Sequence, residues 1–225
     1  MSKRRVVITG LGILSPLGIG IDENWQKICA GQSGIGPVTQ FDATGYPSRI
    51  AGEVKDFDAK RFMSEKEARR MDRFIQLGMA ASIEAFGDSG LEVTEANAER
   101  IGVHLGSGIG GIGTIEATTK VLLEKGMRRV SPFYIPMTIA NMLAGDFSIM
   151  YGLKGPNLAI VTACSTATHA IGDAARLIEY GDADAMIAGA AEAAVTPTSL
   201  AGFGDRKSTR LNSSHSSVSR MPSSA

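Results

Sequence analysis

The chain has 225 residues, of which 44% are hydrophobic and 20% are charged, and its 23 Lys and Arg residues balance its 23 Asp and Glu residues. This length suits one large domain or two small ones, and the charge balance excludes a general electrostatic attraction to nucleic acid or to an anionic membrane. The two cysteines, Cys29 and Cys164, make no disulfide framework and favour a reducing compartment. No stretch reaches the roughly 18 to 20 apolar residues of a membrane span, and glycines interrupt the apolar start, so we expect a soluble, cytoplasmic protein.

The first elements are a short strand and a short helix. Residues 4–12, RRVVITGLG, predict a strand that ends in glycines. Residues 22–31, DENWQKICAG, predict a helix on which Cys29 shares an apolar face with Trp25 and Ile28. We therefore predict that Cys29 packs in the core.

A long amphipathic helix follows an irregular region. Residues 64–90 begin with Ser64 and Glu67, a capping-box pair, and predict one continuous helix. The apolar face of that helix comprises Met71, Phe74, Ile75, Met79, Ile83 and Phe86. Residues 100–106 then predict a buried strand, which leads through a glycine-rich loop to a helix near residues 115–125.

The next part of the chain repeats the pattern of helix and strand. Residues 135–152 predict an almost wholly apolar helix, buried on all sides, with Pro136 in its first turn. A strand over 157–163, a helix over 165–180 and a strand over 183–190 follow. This alternation predicts an α/β fold with a mostly parallel sheet covered by helices on both faces.

The composition changes after Gly204. Residues 205–225 contain eight serines in 21 residues and no periodic apolar pattern, which predicts a disordered tail. We interpret this tail as translated vector, adapter or frame-shifted sequence, with a genuine flexible tail as the alternative. The predicted domain therefore comprises residues 1–204.

Two glycine patterns are similar to dinucleotide-binding fingerprints. The first, in residues 9–18, has Ser15 where the third glycine should stand, whereas the second, Gly106-x-Gly108-x-x-Gly111, matches literally. Both lack the acidic residue expected about 20 residues further along the chain. We expect these glycines to allow close backbone packing, and an NAD(P)-dependent reductase remains an alternative.

Cys164 stands where a predicted strand meets a predicted helix. The free N–H groups and the dipole of a helix N-terminus stabilise a thiolate, and the small residues Ala163, Ser165 and Ala167 leave room for a substrate. Open α/β sheets also bind their ligands at this edge. Most free cysteines, however, are small buried hydrophobic residues. The residues by themselves leave both interpretations open.

Several segments together suggest a family. They are RRVVITGLGILSPLG, GSGIGGIGTIE, SPFYIPMTIANMLAG and VTACSTATHAIGDAARLIEYGDADAMIAGAAEA. From about Lys3 to Gly204 the chain resembles the β-ketoacyl-acyl carrier protein synthases, and most closely the elongating type II of bacterial fatty acid synthesis. The resemblance implies a thiolase-like fold, of which this chain would form the N-terminal βαβαβαββ half. It also implies decarboxylative Claisen condensation of an acyl thioester with malonyl-carrier protein, without a metal or redox cofactor.

The resemblance also implies roles for individual residues. Cys164 occupies the place of the acylated nucleophile in the family's T-A-C-S motif. Ile109 stands where the family places a gate on the acyl pocket, and Tyr134 where a residue of the dimer partner lines that pocket. The strand around 158–161 would pair with its twin across the axis of a homodimer.

A basic cluster matches the family's docking site for acyl carrier protein, whose phosphopantetheine carries the substrates. Lys66, Arg69 and Arg70 lie at helical spacing on one side of the predicted long helix. Three cations on a helix face are otherwise a solvated surface, so both interpretations stay open.

The family's two catalytic histidines have no counterpart in this chain. In the family they stabilise the thioester enolate and lie in H-G-T-x-T and G-H-x-x-G-A-A-G motifs, neither of which occurs here. His104 falls inside a strand, His215 falls in the tail, and His169 lies about 140° around the helix from Cys164. We therefore expect a truncated synthase without full activity, and a non-catalytic dimerising or carrier-binding fragment is the alternative.

Overall fold

The computed structural model describes residues 4–204, so the predicted tail at 205–225, with His215, lies outside the described residues. The strands and helices, in chain order, are β1 (Leu14–Ser15), β2 (Gly18–Ile19), α1 (Ile21–Cys29), β3 (Ile35–Pro37), β4 (Ile50–Gly52), α2 (Glu65–Ala68), α3 (Arg73–Asp88), β5 (Ile101–Gly106), α4 (Ile112–Lys125), α5 (Tyr134–Thr138), α6 (Met142–Tyr151), β6 (Asn157–Leu158), α7 (Thr166–Tyr180), β7 (Ala185–Ala190) and α8 (Pro197–Phe203).

A parallel sheet in the order β6-β5-β7 forms the centre of the fold. Strand β5 is buried along its whole length, and its pairing with β7 runs from Ile101 opposite Ala185 to Gly106 opposite Ala190. The short strand β6 pairs with the other side of β5 and leaves Leu158 exposed at the sheet edge. The β5 and β7 predictions are therefore confirmed, whereas the predicted strand 157–163 is reduced to two residues.

Helices cover both faces of this sheet, as the sequence predicted. Ile101, Val103 and Leu105 of β5 belong to one hydrophobic core with buried side chains of α3 and α6. The residues between them face α7, because the His104 ring lies near Asp173 and Gly106 lies against Thr166. Because side chains alternate along a strand, β5 presents its apolar side chains to α3 and α6, and it presents His104 and Gly106 to α7.

The predicted long helix over 64–90 is divided into α2 and α3. The capping box of Ser64 and Glu67 is present, but the helix that it opens ends at Ala68. Asp72 then starts α3 by accepting a hydrogen bond from the Phe74 N–H. The predicted apolar face is confirmed, since Phe74, Ile75 and Met79 are completely buried.

Two predictions for the first thirty residues were wrong. Residues 4–12 form no strand, because the N–H groups of Leu11 and Ile13 donate to carboxylates of α3 rather than to a neighbouring strand. The expected core position of Cys29 is also wrong. Cys29 is exposed, as is the Trp25 side chain at 64%, because no described element covers this face of α1.

The apolar segment 135–152 is neither one helix nor buried on all sides. It is split between α5 and α6, and Ile135 and Ile149 are exposed. The Thr138 carbonyl accepts a hydrogen bond from the Gly111 N–H of the glycine-rich loop at 3.0 Å. The Met142 N–H, which would bond to Thr138 in a continuous helix, donates to the Ile139 carbonyl instead. Packing against that loop therefore ends α5 where the apolar pattern predicted continuation.

Candidate active site

Cys164 lies in a single helical turn, Ala163–Ser165, that leads directly into α7. Its thiol is exposed, so the alternative of a small buried hydrophobic residue is excluded for this cysteine. No side chain caps α7, which leaves the N-terminal end of a 15-residue helix next to the sulfur. The partial positive charge of such a helix end stabilises an anion, including a thiolate.

The backbone before Cys164 is strained. Ala163 has a φ of +52°, a conformation that a residue with a Cβ rarely adopts. Thr166 secures the turn, because its hydroxyl donates to the Ala163 carbonyl (2.8 Å) and accepts the Thr162 N–H (3.0 Å). His169 Nδ1 lies 2.7 Å from the Thr162 Oγ1, which gives this histidine a contact in the turn. A sharp turn fixed in this way presents the Cys164 side chain outward.

The glycine-rich loop after β5 lies directly beside this turn. A Cβ at Gly106 would stand 2.2 Å from the Ile160 carbonyl oxygen, and one at Gly108 would stand 3.3 Å from the Ala163 Cα. The Gly106 distance is far too short for any side chain, so that position requires glycine, whereas a Cβ at Gly108 would need a shift of a few tenths of an ångström in its neighbours. The prediction that the glycines allow close backbone packing is therefore confirmed.

The two residues predicted to border an acyl pocket occupy different places. Ile109 belongs to the glycine-rich loop and is 43% exposed. The preceding Gly108 lies against Ala163, so the structure brings the loop and Ile109 to the Cys164 side of the sheet. Tyr134 starts α5 and is half-buried, whereas the loop contacts the other end of that helix, at Met137 and Thr138. Tyr134 thus lies one turn away from the contact between α5 and the loop.

The basic residues predicted for docking lie together despite the break in the helix. Lys66, Arg69 and Arg70 line a groove of about 480 Å³ that also includes Glu65 and Phe133. The Arg70 guanidinium stands over the Phe133 ring at 4.4 Å from its centroid, a cation–π geometry. Arg69 pairs with Glu65 in the first turn of α2. The predicted cluster is therefore a surface feature with an aromatic wall.

One carboxylate at the site was not identified from the sequence. Glu192, two residues after β7, accepts the N–H of Ile109 at 3.0 Å and the hydroxyl of Ser107 at 3.3 Å. The surrounding protein raises the pKa of Glu192 above its usual value, because loss of water around the carboxylate outweighs the hydrogen bonds that lower it. Its position just past the apolar parallel strand β7 is the sequence signal that could have indicated it.

The described part of the chain offers neither a metal centre nor a membrane span. Within residues 4–204, no three His, Cys, Asp or Glu side chains come close enough together to hold a metal ion. Over the same residues, no helix is both long and apolar enough to cross a bilayer.

Similar proteins share this fold and sequence. The chain is 59% identical over 207 residues to 3-oxoacyl-[acyl-carrier-protein] synthase 2 of Vibrio harveyi, which covers 92% of this chain and 50% of that protein. The synthases of the same name from Coxiella burnetii and Staphylococcus aureus (strain COL) are 53% and 47% identical, over 90% and 93% of this chain and 49% and 51% of theirs. The chain therefore spans about half the length of these curated relatives.

Solved structures agree with this comparison. The ishigamide ketosynthase/chain length factor superposes with a TM-score of 0.81 at 28% identity, over 90% of this chain and 51% of that one. A β-ketoacyl synthase from Burkholderia phymatum gives 0.76 at 28% identity, over 91% and 50% of the two chains. A chain of the solved complex described as a type II PKS acyl-carrier protein with its ketosynthase also superposes with a TM-score of 0.76. Its identity is 26%, over 92% of this chain and 56% of that chain. The fold is accordingly thiolase-like, as predicted.

The family model described as "Beta-ketoacyl synthase, N-terminal domain" matches residues 3–220. With the exposed Cys164 at the start of α7 and the glycine-rich loop beside it, this match assigns the chain to the β-ketoacyl synthase family.

Proposed function

We propose that this chain provides the acyl-accepting site of a 3-oxoacyl-acyl carrier protein synthase of fatty acid synthesis. The observation that carries the proposal is the exposed Cys164 on a strained turn, at the uncapped N-terminus of α7 and beside a loop without side-chain bulk. Relatives at 47–59% identity carry the name of this enzyme, which supports the same assignment.

The first half-reaction follows from the chemistry of a thiolate. The Cys164 sulfur attacks the carbonyl carbon of an acyl thioester on carrier protein, and the electron pair of the carbonyl moves to its oxygen. When that pair returns, the bond to the phosphopantetheine sulfur breaks, so the acyl group is left on Cys164 and the carrier leaves as a thiolate, which takes up a proton equivalent to the one that Cys164 lost. N–H groups near the start of α7 stabilise the charge that develops.

The second half-reaction joins the acyl group to malonyl-carrier protein with loss of CO₂. This step requires stabilisation of a thioester enolate, and the sequence contains neither histidine motif that performs this task in the family. His169 is hydrogen-bonded to Thr162, and His104 is buried in β5. We propose that this chain accepts acyl groups and lacks full condensing activity, and that the chemistry uses no metal or redox cofactor.

Selective trapping of Cys164 tests the proposal. The 225-residue chain is incubated with a long-chain epoxide of the cerulenin type, and the adducts are located by peptide mass spectrometry. Cys29 is a matched internal control, because both thiols are exposed. We expect Cys164 to react at least about tenfold faster than Cys29, as expected for a thiolate at a helix N-terminus. Equal labelling of the two cysteines in folded protein would refute the proposed site.

We further propose that acyl carrier protein docks at the groove formed by Lys66, Arg69, Arg70 and Phe133. Clustered cations such as those of this groove attract acidic partners. One of the similar solved structures is a complex between a ketosynthase and its acyl-carrier protein, which supports the same partner here. Lys66→Glu and Arg70→Glu should each weaken carrier binding about tenfold at low salt, whereas Lys120→Glu on α4 should not. Equal effects at all positions would indicate a response to net charge alone.

Dimerisation and cellular location belong to the same proposal. Strand β6 is the outer strand of its sheet, and Leu158 and Val161 are exposed beside it, which suits pairing with a second copy. Val161→Asp should shift the molar mass in solution towards the monomer, and Leu123→Asp, at an exposed position on α4, is the control. We place the protein in the cytoplasm, where its free thiols remain reduced.

The second candidate is a carrier-binding or dimerising module without acyl transfer. The exposed basic groove favours it, because binding there requires no reactive thiol. The trapping experiment separates the two candidates. Carrier binding without selective modification of Cys164 would support the module, whereas selective modification supports the acyl-accepting site.

A further inference from the structure

The Glu192 carboxylate makes several hydrogen bonds to one short loop. Its Oε2 accepts the Ile109 N–H at 3.0 Å, and its Oε1 accepts the Ser107 hydroxyl at 3.3 Å. The N–H groups of Gly108 and Ala193 also help to lower the pKa of this carboxylate, against the larger effect of its burial. A single side chain beyond β7 thus hydrogen-bonds two residues of the loop that follows β5, one on each side of Gly108.

Ser107 extends this connection to the other side of the loop. It is completely buried, and its Oγ accepts the N–H of Gly110 at 2.9 Å. Glu192 and Ser107 therefore hold the backbone on both sides of Ile109. These bonds hold the N–H groups of Ile109 and Gly110, and they thereby set the direction in which the Ile109 side chain leaves the loop.

The loop is enclosed between this carboxylate and the turn that carries the nucleophile. A Cβ at Gly108 would lie 2.9 Å from Glu192 Oε2 and 3.3 Å from both the Cα and the carbonyl oxygen of Ala163. Ala163 immediately precedes Cys164 and has the strained φ of +52°. A displacement of Glu192 would therefore change the space between the loop and Cys164.

We propose that Glu192 is a positioning residue of the Cys164 site and sets where Ile109 stands relative to an acyl chain on the sulfur. The inference rests on the proposed function, in which Ile109 gates the acyl pocket. In this arrangement Glu192 affects which acyl chains reach Cys164 without contacting the sulfur. A purely structural Glu192 would instead change folding stability and alter access for every reagent equally.

Two reagents of different length distinguish these roles. Iodoacetamide reports the reactivity of the Cys164 thiol towards a small electrophile, and the long-chain epoxide reports access for an acyl-like chain. Both rates are measured at Cys164 by mass spectrometry for the wild type, Glu192→Ala, Glu192→Gln, Ile109→Ala and the double variant Glu192→Ala/Ile109→Ala. Cys29 in the same samples reports general unfolding.

We expect Glu192→Ala to raise the ratio of the epoxide rate to the iodoacetamide rate about fivefold, because release of a charge-assisted hydrogen bond frees the gate. Ile109→Ala should raise the ratio similarly, and the double variant should add nothing further, since both changes act through one side chain. Glu192→Gln keeps one acceptor oxygen for the Ile109 N–H and should restore most of the wild-type ratio.

Two results would overturn the inference: an unchanged ratio in Glu192→Ala, or equal changes in both rates accompanied by faster Cys29 labelling. If Glu192→Ala does not fold, Ser107→Ala takes its place, because it removes both the hydroxyl bonded to Glu192 and the acceptor of the Gly110 N–H. An unchanged ratio in folded Ser107→Ala would then count against the inference. Failure of the proposed function is a separate result, because it appears as unselective labelling in the wild type itself.

Discussion

Replacement of Asp72 by alanine should be among the most damaging single changes in this fold. The Asp72 side chain is buried and starts α3, where its Oδ1 accepts the Phe74 N–H at 3.0 Å. Its Oδ2 accepts the N–H and the hydroxyl of Thr114 in the first turn of α4, at 3.0 Å and 2.6 Å. One carboxylate therefore joins the start of two helices and fixes the end of the glycine-rich loop.

The expected cost follows from the donors that Asp72→Ala leaves without a partner. Loss of a helix cap costs about 1 kcal/mol. A buried donor left unsatisfied costs about 1–3 kcal/mol, and the Thr114 N–H and hydroxyl both lose their acceptor. These contributions sum to about 3–7 kcal/mol, and because the Thr114 bonds are only partly buried we expect the lower part of that range, about 3–5 kcal/mol. This is a large share of the roughly 5–15 kcal/mol that holds a typical domain folded.

Urea denaturation followed by circular dichroism measures this loss as a lower midpoint. Asp58→Ala is the matched control, because Asp58 caps a short helical turn through the Lys60 N–H at 3.0 Å but lies at the surface. The control should cost about 1 kcal/mol or less. Asp72→Asn, which keeps one acceptor oxygen, should fall between the two. Equal losses for Asp72→Ala and Asp58→Ala would refute the role assigned to the buried carboxylate.

Three further predictions concern the packing and the titration of single residues. Gly106→Ala should destabilise the protein by about 2 kcal/mol or more and abolish selective Cys164 labelling, because its Cβ would meet a backbone oxygen at 2.2 Å. The control is Gly172→Ala on α7, where a Cβ meets nothing within 4 Å, and this change should be neutral or stabilising. Burial, with a smaller effect of Glu67, raises the pKa of Asp146 to about 6. The stability of the fold with protonated Asp146 is therefore lost as the pH rises through about 6. In urea denaturation, Asp146→Asn should be about 1–2 kcal/mol more stable than the wild type at pH 8, and this difference should shrink by pH 4. Burial lowers the pKa of His104 below 6.5, so protonation of this histidine in the unfolded chain should reduce the stability of the fold as the pH falls from 7 to 5. His104→Leu should remove that part of the pH dependence. An unchanged pH profile of stability in His104→Leu would contradict this role of His104.

Local sequence patterns correctly predicted those elements whose type follows from the spacing of their own apolar residues. Strand β5 and helix α7 agree with the prediction because a buried parallel strand reads as an apolar run and an amphipathic helix repeats every 3.6 residues. The division of α2 from α3 was missed although Asp72 is a common capping residue. The apolar spacing continues through Met71 and Phe74, so the period indicated one helix where the chain contains two.

The errors at α1 and in the first strand have a different cause. An apolar stripe shows which residues share a face of a helix, and it does not show whether another element covers that face. Cys29 and Trp25 share the stripe as predicted, and both are exposed. Likewise, residues 4–12 have strand propensity, but the N–H of Leu11 and that of the adjacent Ile13 bond to side chains of α3, which the local sequence does not specify.

The candidate site shows the same limit in its chemistry. The place of Cys164 at a strand-to-helix junction follows from a local change of period, but that pattern left the role of the cysteine open until the resemblance to the synthases favoured a nucleophile. Glu192 is 83 residues from Ile109 along the chain, and only the pairing of β5 with β7 brings the ends of those strands together. A carboxylate shortly after an apolar parallel strand is therefore a residue to consider, because the carboxyl ends of parallel strands lie at the same edge of the sheet. A local pattern can therefore place a candidate such as Cys164 at a junction of two elements, whereas the residues that hold its surroundings in place depend on the topology.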